Sequence, residues 1–234
     1  MQIDAAKRLV ARSVKAGQGA LSEFDSKRFL SAYGVPITRE RLVNSEKDAR
    51  AAAERLGYPV VLKGCAHDLL HKTEAGLVMV GLGSSKEVAN AFRELKARAG
   101  SDFGGRFLVQ EMVKGDRELM IGMTRDEQFG PSVMFGLGGI FTEILEDVVF
   151  RLAPLSLSDA REMMSEIRST KILNSVRGMA RVNQPMLARA IVAVGKAAVD
   201  NPDIAEIDIN PLIVSGSHPV AVDGLVILKP SKSV

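Results

Sequence analysis

Apolar and polar positions along this chain follow two periods, and the switches between them mark out its elements. Residues 2–18 repeat at helical spacing and stop at Gly17. Ser22, followed by Asp25, caps a second helix whose Phe24, Phe29, Leu30 and Tyr33 form one stripe, and Gly34 and Pro36 end it. Ile37 to Val43 reads as a strand, and Ser45 to Leu56 as an alanine-rich helix closed by Gly57. Tyr58 to Leu62 is a compact apolar run ending at Lys63, the pattern of a buried strand. Leu77 to Leu82 predicts another strand, and Ser84 to Ala97 a helix.

From residue 106 the pattern changes. Phe107 to Met112, Glu118 to Thr124, Ser132 to Phe135 and Val148 to Leu152 are short strands separated by Gly, Asp or Pro. Helical spacing returns at Ser158 to Ile167 and at Pro185 to Val199, the latter with proline early in the helix. Ile204 to Val214 and Pro219 to Leu228 read as a closing pair of strands. No repeat or low-complexity linker interrupts the chain. The glycines between Gly100 and Gly105 suggest a boundary between an α/β lobe at 1–104 and a larger α+β lobe at 105–234, with a ligand cleft between them.

Composition narrows the function classes. A chain of 234 residues, 46% hydrophobic, is long enough for one large domain or two lobes. The net charge of +3 is small and scattered, and only 5% of residues are aromatic with no Trp, so nucleic-acid binding is not expected. No apolar run nears the roughly 20 residues of a membrane helix, and the N-terminus lacks a signal-peptide core. One cysteine, Cys65, cannot build a disulfide framework. The expectation is a soluble cytoplasmic protein.

Several segments carry possible chemistry. An ammonium at Lys63, at the end of an apolar strand and before Gly64, can neutralise phosphate, although alone it reads better as a lysine snorkelling off a sheet edge. Asp68-Leu69-Leu70-His71-Lys72-Thr73-Glu74-Ala75-Gly76 packs an imidazole, an ammonium, a hydroxyl and carboxylates into one loop. Its imidazole can act as base or phosphate-accepting nucleophile, or the loop can simply be solvated. Gln110-Glu111-Met112-Val113 ends a strand and can offer a carboxylate, a carbonyl or an N–H to an adenine, with Glu118 beyond it for ribose hydroxyls. Gly136-Leu137-Gly138-Gly139-Ile140 reads as a loop that lets backbone approach phosphates, or as a plain turn. Asp208 and Asn210 alternate with Ile207 and Ile209 and so share one face of a strand, with Asp223 on the next strand able to meet Asn210. Two oxygen side chains plus phosphates suit Mg²⁺. No Walker or dinucleotide glycine motif is present.

Taken together these residues resemble a known family. The chain is similar to the ATP-grasp β subunit, or β module, of NDP-forming acyl-CoA synthetases, the group of ADP-forming acetyl-CoA synthetase and succinyl-CoA synthetase. The resemblance runs from Leu21-Ser22-Glu23-Phe24-Asp25-Ser26-Lys27 to Asp223. Its most specific parts are His71-Lys72-Thr73-Glu74, the run from Gln128-Phe129-Gly130-Pro131 through Gly138-Gly139-Ile140, Phe150-Arg151-Leu152-Ala153-Pro154-Leu155, and Ile209-Asn210-Pro211-Leu212. The loop after His71 reads Glu74-Ala75-Gly76 where the family commonly has Asp and two glycines.

The resemblance implies an α+β ATP-grasp fold of two subdomains around a nucleotide cleft. It implies that Lys63, and less directly Lys27, contact the phosphates of ATP or ADP. Glu111, Met112 and Val113 would meet the adenine, Glu118 the ribose, and Gly138 and Gly139 would shape the phosphate site. Asn210 and Asp223 would hold Mg²⁺, and His71 would help move the phosphoryl group, either as a transient phosphohistidine or as an electrostatic partner, with Asp208 orienting it. The implied reaction is acyl-CoA + ADP + phosphate ⇌ carboxylic acid + CoA + ATP. With no CoA-binding region in the chain, the expectation is a partner α subunit that carries a second histidine and takes up CoA and a small acid, in an α2β2 assembly. Two other readings stay open: an ATP-grasp ligase joining a carboxylate to an amine, and a non-catalytic nucleotide-sensing module.

Overall fold

The computed structural model describes residues 2–69, 72, 75–139, 147–175 and 178–230. The chain divides into two compact units, Ser22–Phe24 with Thr38–Met112, and Met1–Leu21 with Asp25–Ile37 and Val113–Val234.

The smaller unit is a four-stranded antiparallel sheet with two helices. Its elements are β1 (Glu40–Val43), α3 (Glu46–Leu56), β2 (Val60–Cys65), β3 (Val78–Leu82), α4 (Ser85–Ala99) and β4 (Arg106–Glu111). The sheet order is β1-β4-β2-β3. Because β4 lies between β1 and β2, the chain as far as Met112 stays with this unit. Both helices start on serine caps, Ser45 accepting from the Asp48 N–H and Ser84 from the Glu87 N–H, and each ends at a glycine with positive φ. Ala49, Ala52 and Ala53 of α3 and Val88, Phe92 and Leu95 of α4 close over Leu62, Phe107 and Val109. The run from Ile37 gives a shorter strand than its pattern predicts, because Ile37 instead bridges to Ala221 in the larger unit's sheet.

The larger unit holds α1 (Ile3–Lys15), most of α2 (Glu23–Tyr33), α5 (Leu157–Glu166), a 3₁₀ turn (Thr170–Leu173) and α6 (Gln184–Asp200). Its strands are β5 (Glu118–Asp126), β6 (Gly130–Leu137), β7 (Val148–Leu152), β8 (Ile204–Ser215), β9 (His218–Ala221) and β10 (Leu225–Leu228). They form an antiparallel sheet ordered β10-β8-β5-β6-β7, with β9 also on β8. The final apolar run, expected as one strand, is broken between Ala221 and Leu225 where Val222, Asp223 and Gly224 turn. Helix α6 starts on Asn183, whose side chain accepts from the Met186 N–H, with Pro185 in its first turn. Its small residues allow close approach to the core. A Cβ added at Gly195 would lie 2.5 Å from the Leu155 side chain. Among the described residues no helix is long and apolar enough to cross a membrane.

Two buried charges fix the irregular stretch between β7 and α6. The Arg117 guanidinium, on a residue only 3% exposed, donates to the carbonyls of Ile172, Asn174, Ala180 and Gly216 at 3.1, 3.3, 2.7 and 2.9 Å. Four carbonyls, one in the 3₁₀ turn and three outside regular structure, thus share one rigid fork. The buried Asp147 carboxylate accepts the N–H groups of Arg168 and Ser169, both at 2.7 Å. Burial alone would raise its pKa, but the hydrogen bonds from Ser169 and Arg168 outweigh that and hold it below the usual carboxylate value.

Replacing Arg117 with Met keeps the stem and strands the four carbonyls, so we expect a loss of about 3 kcal/mol and a Tm lower by roughly 6–12 °C, read by calorimetry. For Asp147 the lowered folded pKa means its stabilisation is present above the unfolded value near 4 and fades as pH falls through the folded pKa. The Tm gap between wild type and Asp147→Asn is therefore expected to be widest at neutral pH and to close towards pH 3. A gap that does not change with pH contradicts this.

Candidate functional site

In the larger unit the site begins with the alternation of β8. Ile207 and Ile209 point into the core, so Asp208 and Asn210 turn to the opposite face. β8 pairs Leu212 with Ala221 on β9 and Asp208 with Leu225 on β10, in one continuous register. Asp223, in the turn between those strands, therefore falls opposite Asn210. Asp223 Oδ1 accepts from the Gly224 N–H at 2.8 Å, and Asn210 Oδ1 accepts from the Gly139 N–H at 3.0 Å.

That second bond ties β8 to the glycine loop. The loop is shorter than its sequence suggests, since Gly136 and Leu137 still belong to β6. At Gly138 a Cβ would sit 2.4 Å from the Leu119 carbonyl oxygen, and its N–H donates to the Glu118 carbonyl at 2.9 Å. Gly139 has φ +63°, and a Cβ there would meet the Glu118 carboxylate at 1.8 Å. Glu118, Gly138, Gly139 and Asn210 are thus brought together. Lys27, fully buried, passes over Gly224 and places its Nζ 3.4 Å from the Val222 carbonyl, next to Asp223 in the chain.

In the smaller unit Lys63 departs from expectation. β2 continues through it to Cys65, and the side chain is 7% exposed rather than facing solvent. The reason is a carboxylate: Glu23 Oε1 lies 2.8 Å from the Lys63 Nζ, and Glu23 Oε2 lies 2.9 Å from the Lys72 Nζ. Glu23 is 5% exposed and Lys72 11%. The Glu111 carboxylate, expected to face an adenine, accepts the Arg39 backbone N–H and its Nε, both at 2.7 Å. Beside it, the Met112 N–H donates to the Pro59 carbonyl at 3.2 Å. Val113 begins the last segment of the larger unit. His71, with Thr73, Glu74 and Ile140, lies outside the described residues.

The oxygen set fits a hard divalent cation. Among the described residues no three His, Cys, Asp or Glu side chains cluster as an all-protein metal cage. Mg²⁺ needs no such cage, because it takes one or two carboxylates, keeps waters and completes its shell with phosphate oxygens. Asp223 and Asn210 each use one lone pair of Oδ1 on a neighbouring N–H, which orients the oxygen and leaves acceptor capacity.

Glu23, Arg39 and Arg117 escaped the sequence reading. Glu23 stands in the first turn of a helix, where an acid is ordinary. Only its burial against two lysines distant in sequence sets it apart.

Comparison with known proteins identifies the family. Residues 12–228 match the model of the ATP-grasp domain. The β subunit of acetate–CoA ligase [ADP-forming] I of Pyrococcus furiosus is 40% identical over 226 residues, covering 94% of this chain and 97% of that one. Acetate–CoA ligase [ADP-forming] I of Archaeoglobus fulgidus is 38% identical over 207 residues, 85% of this chain but 30% of its own length. Among solved structures, the dinucleotide forming acetyl-coenzyme A synthetase 1 of Ca. Korarchaeum cryptofilum, in complex with coenzyme A and Ca-AMPCP, superposes with a TM-score of 0.90 at 39% identity. The alignment covers 96% of this chain and all of that one. The same protein with coenzyme A and Mg-AMPPCP, its phosphohistidine segment pointing towards the nucleotide binding site, gives 0.85. The chain belongs to the ATP-grasp domain family, as a homologue of the β subunits of ADP-forming acetate–CoA ligases.

Proposed function

We propose that this chain is the nucleotide-binding β subunit of an ADP-forming acyl-CoA synthetase. It moves a phosphoryl group between ADP/ATP and His71, while a CoA-binding α subunit completes acyl-CoA + ADP + phosphate ⇌ acid + CoA + ATP. One observation carries the reading: 40% identity along nearly the whole length of a relative that is itself such a β subunit. The β-subunit form of that relative, and the match to under a third of a longer one, support a separate partner for the remaining chemistry. We take that partner to carry the second histidine and the acid site, in an α2β2 assembly. A single, buried cysteine, Cys65, suits a reducing cytoplasm.

The residue roles follow from donor chemistry. Lys63 and Lys27 are ammonium groups for phosphate oxygens, and Gly138 and Gly139 present bare backbone to them. Since the Glu111 carboxylate is engaged by Arg39, the adenine contact at Glu111, Met112 and Val113 is a backbone one. Glu118 accepts from the ribose. Asn210 and Asp223 are the Mg²⁺ ligands and Asp208 orients His71. Bound Mg²⁺ supplies charge neutralisation across the phosphates; the chain's own groups supply alignment of the nucleotide with the imidazole.

The test has two parts. The purified chain should bind ADP in a Mg²⁺-dependent way, and Asn210→Ala, which removes a ligand and the partner of Gly139, should weaken that binding about 10–100-fold, read by titration calorimetry. Combined with its α partner, the chain should form ATP from acetyl-CoA, ADP and phosphate. Metal-independent binding that is insensitive to Asn210, or formation of an amide in place of a thioester, contradicts the reading.

A further inference from the structure

Lys63 is assigned above to nucleotide phosphates, yet nothing in that assignment uses the carboxylate that holds it. Glu23 opens α2, and its first residues belong with the smaller unit. Its two oxygens take different lysines, Oε1 the Nζ of Lys63 on β2 at 2.8 Å and Oε2 the Nζ of Lys72 at 2.9 Å. All three side chains are close to fully buried. Lys72 is fixed by its backbone as well, since its carbonyl accepts the Leu77 N–H at 2.9 Å and closes the turn into β3. Lys63 is equally constrained, with β2 paired to Val78 on one side and Leu108 on the other. A single carboxylate therefore joins a strand position to the turn that follows His71 in the chain.

We propose that Glu23 is a positioning residue for the phosphate site: it sets the places of the Lys63 and Lys72 ammonium groups together, so that both meet the nucleotide's phosphates. The inference rests on the nucleotide reading given above. Its physical basis is that an unanchored lysine carries several free torsions, whose ordering must be paid on binding. A buried carboxylate that accepts from the Lys63 ammonium and pairs by charge with that of Lys72 lowers that cost before the ligand arrives, and keeps two like charges side by side without net repulsion. A neutral amide at this position retains the shape but holds the two cations far less strongly. Lys72 is then a second phosphate lysine, contributed by the residue next to His71.

The experiment compares adenosine, ADP and Mg-ATP binding to the full chain by titration calorimetry, for wild type, Glu23→Gln, Glu23→Asp, Lys72→Gln and Lys63→Ala. Positioning predicts that Glu23→Gln weakens ADP and Mg-ATP roughly tenfold or more while adenosine affinity stays within twofold, and that Glu23→Asp recovers part of the loss. Lys72→Gln leaves the Glu23–Lys63 pair intact and is expected to fold even where Glu23→Gln does not. It too should lose phosphate affinity and not adenosine affinity, and adding Glu23→Gln to it should cost less than in the wild-type background. Glu23→Gln and Lys72→Gln proteins that unfold at lower temperature but bind ADP like wild type overturn the inference while Lys63→Ala, still weakened, leaves the nucleotide reading standing. A wild-type chain that binds no ADP overturns both.

Discussion

The two-residue alternation from Ile207 to Asn210 on β8 is the constraint on which the larger unit's core and its candidate site both depend. One face of this stretch supplies Ile207 and Ile209 to the core, and a register slip by one residue would expose them. The same alternation fixes Asp208 and Asn210 on the other face, and pairing with β9 and β10 brings Asp223 opposite Asn210. Hydrophobic burial, worth about 25 cal/mol per Å² of apolar surface, thereby aims polar ligands. The Asn210–Gly139 bond extends this order to the glycine loop, whose two glycines leave no room for a side chain beside Glu118 and Leu119.

Charge is buried in this chain in two different ways. Arg117 and Asp147 are satisfied by backbone groups, carbonyls for the cation and N–H groups for the anion, and they hold irregular chain in place. Glu23 pairs instead with the side chains of Lys63 and Lys72. The first arrangement suits a permanent structural role, because backbone dipoles cannot leave. The second leaves cations able to turn towards an arriving anion. Local chemistry thus separates the stabilising charges from those proposed to act on a ligand.

Much of this was legible in the sequence, for identifiable reasons. Helices capped by Ser45 and Ser84 and closed by glycine, and strands such as β7 bounded by turn residues, follow from local rules and appear where expected. The facing of Asp208 and Asn210 followed from period two alone. What could not be read depended on distant partners. Lys63 looked like a strand end because its neutralising carboxylate lies forty residues earlier in the chain. Glu111 looked free because Arg39 approaches it across a strand pair. Gly136 and Leu137 looked like loop because their partners, Met120 and Leu119 on β5 and Val148 on β7, meet them only in three dimensions. The family, in contrast, was visible from long ordered motifs that no single element explains.

At the centre of the proposed function is a phosphoryl group carried on His71. Incubating the chain with Mg-ATP, trapping at alkaline pH and mapping by mass spectrometry tests this most directly. The account predicts one acid-labile phosphate on the peptide containing His71, removed on adding ADP. An unmodified His71, or phosphate on another residue that ADP does not discharge, would contradict it.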